Sequence, residues 1–222
     1  MKVFCFDLDD TLYKEIDFLK SAYLEVVSYA FTHSYEGKKV FQVAYEGMLE
    51  AYLSGGNAFQ YLNTYMGLNV PISEYLEIYR AHRPNINMSS ETQEVLAEIK
   101  ANGDVVGIIT DGRIVQQTNK IEALQLYRYI SAEDIVISEA FGSEKPDERN
   151  YEFFVRRYPN AAEFYYIGDN IDKDFYAPNK LGWKTIVLLD NGDNIHKLHS
   201  MKDDAYMPQY YVKQIQDIIN YI

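Results

Sequence analysis

Two carboxylates, Asp7 and Asp9, stand at the end of an apolar run, Val3-Phe4-Cys5-Phe6. Such a run reads as a buried strand, which delivers its C-terminal end to the rim of a sheet, where open α/β folds place their chemistry. Acids at that rim can hold a hard cation, and one of them can attack an electrophile. Later apolar runs end in the same way. Thr110-Asp111-Gly112 follows Ile108-Ile109, and Lys145-Pro146 lies in the loop after Ile135-Val136-Ile137. Gly168-Asp169-Asn170 follows Tyr166-Ile167, and Asp174 comes shortly after. In a doubly wound sheet all of these loops converge at the carboxyl edge.

The elements that must position these groups follow from periodicity. Short, continuously apolar runs at 2–6, 105–109, 135–137, 164–167 and 185–189 read as strands, with a further edge strand at 210–212. Helices are expected at 91–101 (capped by Ser90), 115–123, 148–157 and 173–180. Ile215, Ile218, Ile219 and Ile222 mark the buried stripe of a terminal helix. Strands alternating with helices predict a parallel sheet covered on both faces. Between the first two strands the texture changes: residues 15–79 repeat at helical spacing, broken at Ser54-Gly55-Gly56-Asn57 and at Gly67-Leu68-Asn69-Val70-Pro71. The expected organisation is an α/β core, 1–14 with 83–222, carrying a small inserted helical domain at 15–82. Hinges near 13–16 and 80–86 would make that insertion a lid.

The formal charge, 21 − 33 = −12, disfavours nucleic acid and anionic membrane as partners. Cys5 is the one cysteine, so no intramolecular disulfide can form, and it reads as a buried thiol. No run approaches the roughly 18 apolar residues of a membrane span. The chain reaches Asp7 too soon for a signal peptide, so a cytoplasmic protein is expected.

With all four motifs in order, each at a strand end, the chain resembles the haloacid dehalogenase superfamily. It is closest in pattern to the phosphatase-type members with a helical cap inserted after the first motif. The resemblance implies a Rossmann-like core and a magnesium-dependent phosphomonoester hydrolase acting on a small phosphorylated metabolite. Asp7 then matches the nucleophile that forms an aspartyl-phosphate, and Asp9 the general acid/base. Magnesium would be held by Asp7, the backbone carbonyl of Asp9 and Asp169, with Asp174 as an outer or alternative ligand. Thr110 would hydrogen-bond a phosphoryl oxygen, and Lys145 would neutralise it while tethering Asp7. Asp111, where relatives often carry Asn, would place an extra anion beside the phosphate. Gly112 and Arg113 would then complete the substrate contacts, with Arg113 offsetting Asp111.

Other readings stay open. Asp9, Asp10 and Thr11 suit a helix cap, and Asp172 suits a first-turn acid. Arg113 also suits a solvated helix start. His196 and His199 have metal-like spacing without further ligands and read as surface residues, while His33 and His82 carry no signal. The many tyrosines of the insertion, among them Tyr23, Tyr35 and Tyr75, read mostly as packing. A phosphomutase, a metal-free dehalogenase and a catalytically idle phospho-ligand-binding domain are the rivals. The substrate could be a sugar phosphate or a nucleoside monophosphate, and the oligomeric state is not legible.

Overall fold

β1 (Val3–Phe6) is buried along its whole length and forms the middle of the sheet. In the computed structural model, which describes residues 1–33, 40–195 and 203–222, it pairs in parallel with two neighbours. These are β2 (Val105–Thr110) and β4 (Phe164–Gly168). β3 (Ile135–Ile137), β5 (Lys184–Leu188) and β6 (Tyr210–Val212) extend the sheet to the order β3-β2-β1-β4-β5-β6, parallel throughout. The chain therefore winds outward from β1 to β3, then crosses β1 to continue on its other side. That reversal creates a crevice beyond the carboxyl ends of β1, β2 and β4.

The chain divides into two compact units, Met1–Glu15 with Asn87–Ile222, and Ile16–Ile86. In the first, β1 alternates between faces. Val3 and Cys5 join Tyr151, Phe154, Tyr166 and Trp183 in one buried cluster. Phe4 points the other way and stacks on Tyr165 at 4.5 Å. Each such side chain contributes about 1.5–3 kcal/mol by leaving water. The helices of this unit are α5 (Ser90–Ala101), α6 (Ile114–Ala123), α7 (Ser138–Phe141), α8 (Arg149–Arg157) and α9 (Tyr176–Lys180), numbered after those of the second unit. Its strands thus match the expected α/β doubly wound core to within a residue or two.

Several local expectations are corrected. Ser89, not Ser90, caps α5, accepting a hydrogen bond from the Thr92 N–H. α9 starts at Tyr176 rather than 173, because the preceding turn folds around Asn170, whose carbonyl accepts from both the Lys173 and Asp174 N–H groups. The terminal segment Ile215–Tyr221 is a 3₁₀ helix. Its period of three buries Ile215 and Ile218 and leaves Ile219 exposed, so a stripe with 3.6 spacing does not form.

The second unit holds most of α1 (Glu15–Thr32) and all of α2 (Phe41–Leu53), α3 (Ala58–Met66) and α4 (Ile72–Ala81). Asn57 caps α3 through the Gln60 N–H, and Gly67, at φ +66°, ends it in a conformation that L side chains rarely adopt. Its core is aromatic: Phe59 stacks on Tyr75 at 5.8 Å and meets Tyr23 edge-on at 6.0 Å. His82 proves structural. Its Nε2 pairs with Ser21 Oγ at 2.7 Å and its Nδ1 with Glu25, while Ser21 accepts from the Asn85 N–H. Tyr35, His196 and His199 lie outside the described residues. No described helix is long and apolar enough to cross a membrane.

Candidate active site

The strand ends place the charged groups. β1 continues its ladder one step beyond Phe6, the Asp7 N–H donating to Ile167 O at 2.8 Å. Asp7 is thereby fixed between the ends of β2 and β4. Its Oδ1 accepts from the Leu8 N–H at 2.8 Å and pairs with Lys145 Nζ at 2.9 Å. Burial pushes the Asp7 carboxyl up to about 6; Lys145 opposes this and Asp174 adds to it.

Lys145 is fully enclosed. It binds Asp7, Asp174 at 2.7 Å and Tyr166 Oη at 3.1 Å. Burial alone would discharge it, but the carboxylates of Asp174, Asp7 and Asp111 outweigh burial and hold it charged. Asp174 is equally enclosed, with Oδ2 accepting from the Asn170 N–H at 2.9 Å. The turn that shortens α9 is therefore the turn that aims Asp174.

Asp7, Asp169 and Asp174 each present a carboxylate oxygen within 4.8 Å of the others, and all three are buried. Burial, then the charges of Asp174, Asp7 and Asp10, raise Asp169 to about 9. Like charges crowded this closely call for a cation, and an all-oxygen donor set suits magnesium. Asn194 orients Asp169, its Nδ2 donating to Oδ2 at 3.2 Å. Asp172 is not part of this group; its N–H donates to Asn170 Oδ1 at 3.0 Å.

Asp9 is held from α6. Lys120 Nζ lies 2.7 and 2.9 Å from its two oxygens, Gln117 Nε2 donates at 3.0 Å, and the Tyr13 hydroxyl donates as well. Burial would raise Asp9, but Lys120 and these donors outweigh it and lower its pKa. Gln117 also donates to Thr110 Oγ1 at 2.6 Å, linking the first two motifs. Lys120 and Gln117 were missed in the sequence. The structure buries both on the inward side of α6, beside Ile121. A Lys and a Gln in a buried stripe must find partners.

Asp7, Asp9, Asp10, Thr110, Asp111 and Asp169 line one cleft of about 200 Å³, together with Glu15, Asn170 and Lys173. Asp10 adopts φ +54° and anchors the rim, accepting from the Glu15 and Ile195 N–H groups at 2.9 and 3.0 Å. Burial, then Asp9, raises Glu15 to about 8.

Arg113 and Gly112 depart from expectation. The Arg113 guanidinium pairs with Glu139 at 2.6 Å, and the same carboxylate caps α6 through the Ile114 N–H. Arg113 is thus drawn to α7 and does not line the cleft. Gly112, at φ +146°, donates its N–H to Ser138 Oγ at 3.0 Å and shapes the loop from behind. Asp111 is offset instead by Lys173, at 3.6 Å, while its Oδ1 accepts from the Lys145 N–H at 3.0 Å.

Known proteins bear on this geometry. Residues 4–188 match the model of the haloacid dehalogenase-like hydrolases, and the chain belongs to that family. It is 27% identical to a glyceraldehyde 3-phosphate phosphatase of Methanocaldococcus jannaschii, over 100% of this chain and 97% of that protein. A glyceraldehyde 3-phosphate phosphatase of Pyrococcus furiosus is 28% identical, over 84% of this chain and 80% of its own length. Among solved structures, the fold matches a magnesium-bound HAD-hydrolase of Bacillus subtilis with a TM-score of 0.64 at 17% identity, covering 99% of this chain and 97% of that one. The resemblance read from the four motifs is borne out.

Proposed function

We propose that this hydrolase is a magnesium-dependent phosphatase of a small sugar phosphate, with glyceraldehyde 3-phosphate as the leading substrate. One observation carries the reading: Asp7 is pinned by a fully enclosed lysine within a buried group of three carboxylates. That is a nucleophile beside a cation site, the parts that phosphoryl transfer needs. Naming the triose rests on the relatives, which are called glyceraldehyde 3-phosphate phosphatases. The cleft of about 200 Å³ agrees, being smaller than the roughly 300–1,000 Å³ of typical drug-sized ligand sites.

In this mechanism Asp7 attacks phosphorus, forming an O–P bond as the ester P–O bond breaks. The departing alkoxide takes its proton from Asp9. Water then attacks the aspartyl-phosphate, giving its proton to Asp9 and releasing inorganic phosphate and Asp7. Leu8 N–H and Lys145 hold Asp7 on target throughout. Lys120, Gln117 and Tyr13 fix the Asp9 carboxylate. A magnesium ion bound by Asp7 and Asp169 would neutralise phosphoryl oxygens.

The test is steady-state hydrolysis over a panel: glyceraldehyde 3-phosphate, a hexose phosphate, a nucleoside monophosphate and p-nitrophenyl phosphate, with magnesium or chelator. The highest kcat/KM is expected for the triose, with inorganic phosphate released and activity lost in chelator. Undiminished turnover in chelator would overturn the metal assignment, and an isomeric sugar phosphate as product would make the enzyme a mutase.

A further inference from the structure

Lys145 is already engaged by carboxylates. Its side chain is 0% exposed and already bound to Asp7 and Asp174, and it does not line the cleft. Among the described residues, a phosphate entering the cleft meets six lining carboxylates and one lining cation, Lys173. Lys173 grows from the turn between Asp169 and Asp174. Its backbone N–H donates to Asn170 O at 3.2 Å, so the root of the side chain is held by the loop that aims the metal-binding acids. The side chain is one-third exposed, and its ammonium lies 3.6 Å from Asp111 Oδ2. That separation is an ion pair without a good hydrogen bond. Asp111 is independently anchored through Oδ1 by the Lys145 N–H, so it keeps its place when Lys173 turns away. The Lys145 ammonium and burial act to lower the Lys173 pKa, but Asp7, Asp174 and Asp111 outweigh them, and Lys173 is charged at neutral pH.

We propose that Lys173 is a second lysine that binds the substrate phosphoryl group, exchanging Asp111 for a non-bridging phosphate oxygen, beside Lys145, which also orients Asp7. This proposal rests on the phosphatase reading and refines it, dividing between two lysines the work first assigned to Lys145. Asp111 is the resting partner that keeps the ammonium at the mouth of the site. The exchange replaces a loose pair with a charge-assisted hydrogen bond, and that difference favours the bound state.

The test is calorimetric binding of inorganic phosphate, in the presence of magnesium, to the full-length wild type, K173Q, K173R, D111N and the D111N/K173Q double variant. Thermal melting verifies that each is folded. Losing a charge-assisted hydrogen bond weakens binding by about tenfold or more, and this loss is expected for K173Q both with and without Asp111. K173R should retain most of the affinity. Wild-type affinity in K173Q overturns the proposal. So does a loss that disappears in the D111N background, since Lys173 would then serve only to neutralise Asp111. Turnover of glyceraldehyde 3-phosphate by the wild type is read in parallel. Its absence overturns the phosphatase reading, whereas the phosphate-binding comparison decides Lys173 in either case.

Discussion

In the proposed mechanism Asp9 gives a proton in one half of the reaction and takes one in the other. Its surroundings favour the second task. Lys120, Gln117 and Tyr13 all stabilise the carboxylate and lower its pKa. A substrate whose leaving group needs no proton should therefore expose the second task alone. For D9N with p-nitrophenyl phosphate, we expect a burst of p-nitrophenolate stoichiometric with enzyme, followed by turnover about 10²–10⁴ slower than wild type. Stopped-flow absorbance checks this, and a uniformly slow reaction without a burst would show that the first step also needs Asp9. At this scale Asp7 and Asp169 stood out because each carboxylate comes at the end of an apolar strand, and Asp9 because it is a second carboxylate two residues further on. Lys120 and Lys173 did not, because a lysine on a helix or in an acidic loop is usually solvated. Only the three-dimensional path of α6 and of the Asn170 turn gives them partners. Arg113 misled for the converse reason: it follows the second motif directly, yet Glu139 on α7, an element not foreseen in the sequence, captures it.

Among the elements, β4 and the turn after it do the most to build the site. Gly168 ends β4 against Asp174, and a Cβ there would come within 2.8 Å of the Asp174 Cγ. The atoms met are those of an enclosed carboxylate that carries Lys145, so they have little room to yield. G168A should displace Asp174, loosen Lys145 and destabilise the protein by about 1–3 kcal/mol. Phosphatase activity should fall further than stability alone explains. Melting and kcat measured together check this; a variant with wild-type kcat and Tm would show that the turn tolerates the methyl group. The strands were read correctly because each is a short apolar run between turn residues. The start of α9 was misread because the Lys173–Lys180 stretch looks uniformly helical, while Asn170 diverts its first turn into the acid loop. Ile215 and Ile218 fit the expected terminal helix, but a period of three, invisible in so short a stretch, turned Ile219 outward.

Over the whole molecule, part of the acidity is gathered at the candidate site. The chain carries −12, and its cleft gathers Asp7, Asp9, Asp10, Glu15, Asp111 and Asp169. Asp7 is raised to about 6, Glu15 to about 8 and Asp169 to about 9, each above its value in an unfolded chain. A carboxyl with a raised folded-state pKa leaves the folded protein holding the proton more tightly than the unfolded chain. Stability without metal should therefore fall as pH rises from about 4 to about 9. A divalent ion reverses the penalty, and it can bind Asp7 and Asp169 only as their protons leave. Magnesium should thus raise Tm more at about pH 8 than at about pH 6, with proton release on binding in calorimetry. A magnesium effect on Tm that is equal at both values, with no proton release, would count against these ligands. The net charge was legible at once. The meeting of six acids in one cleft was not, because Glu15 and Asp10 look like ordinary helix-start acids until Ile195 and the strand ends enclose them.

The central claim is that Asp7 carries the phosphoryl group in transit. Rapid-quench mass spectrometry of the wild type, mixed with glyceraldehyde 3-phosphate and magnesium and quenched in acid, tests it directly. The account predicts one added phosphoryl unit on the peptide containing Asp7, appearing before inorganic phosphate and absent from D7N. Inorganic phosphate formed at the full rate by D7N, or by the wild type with no phosphorylated peptide at any quench time, would contradict it.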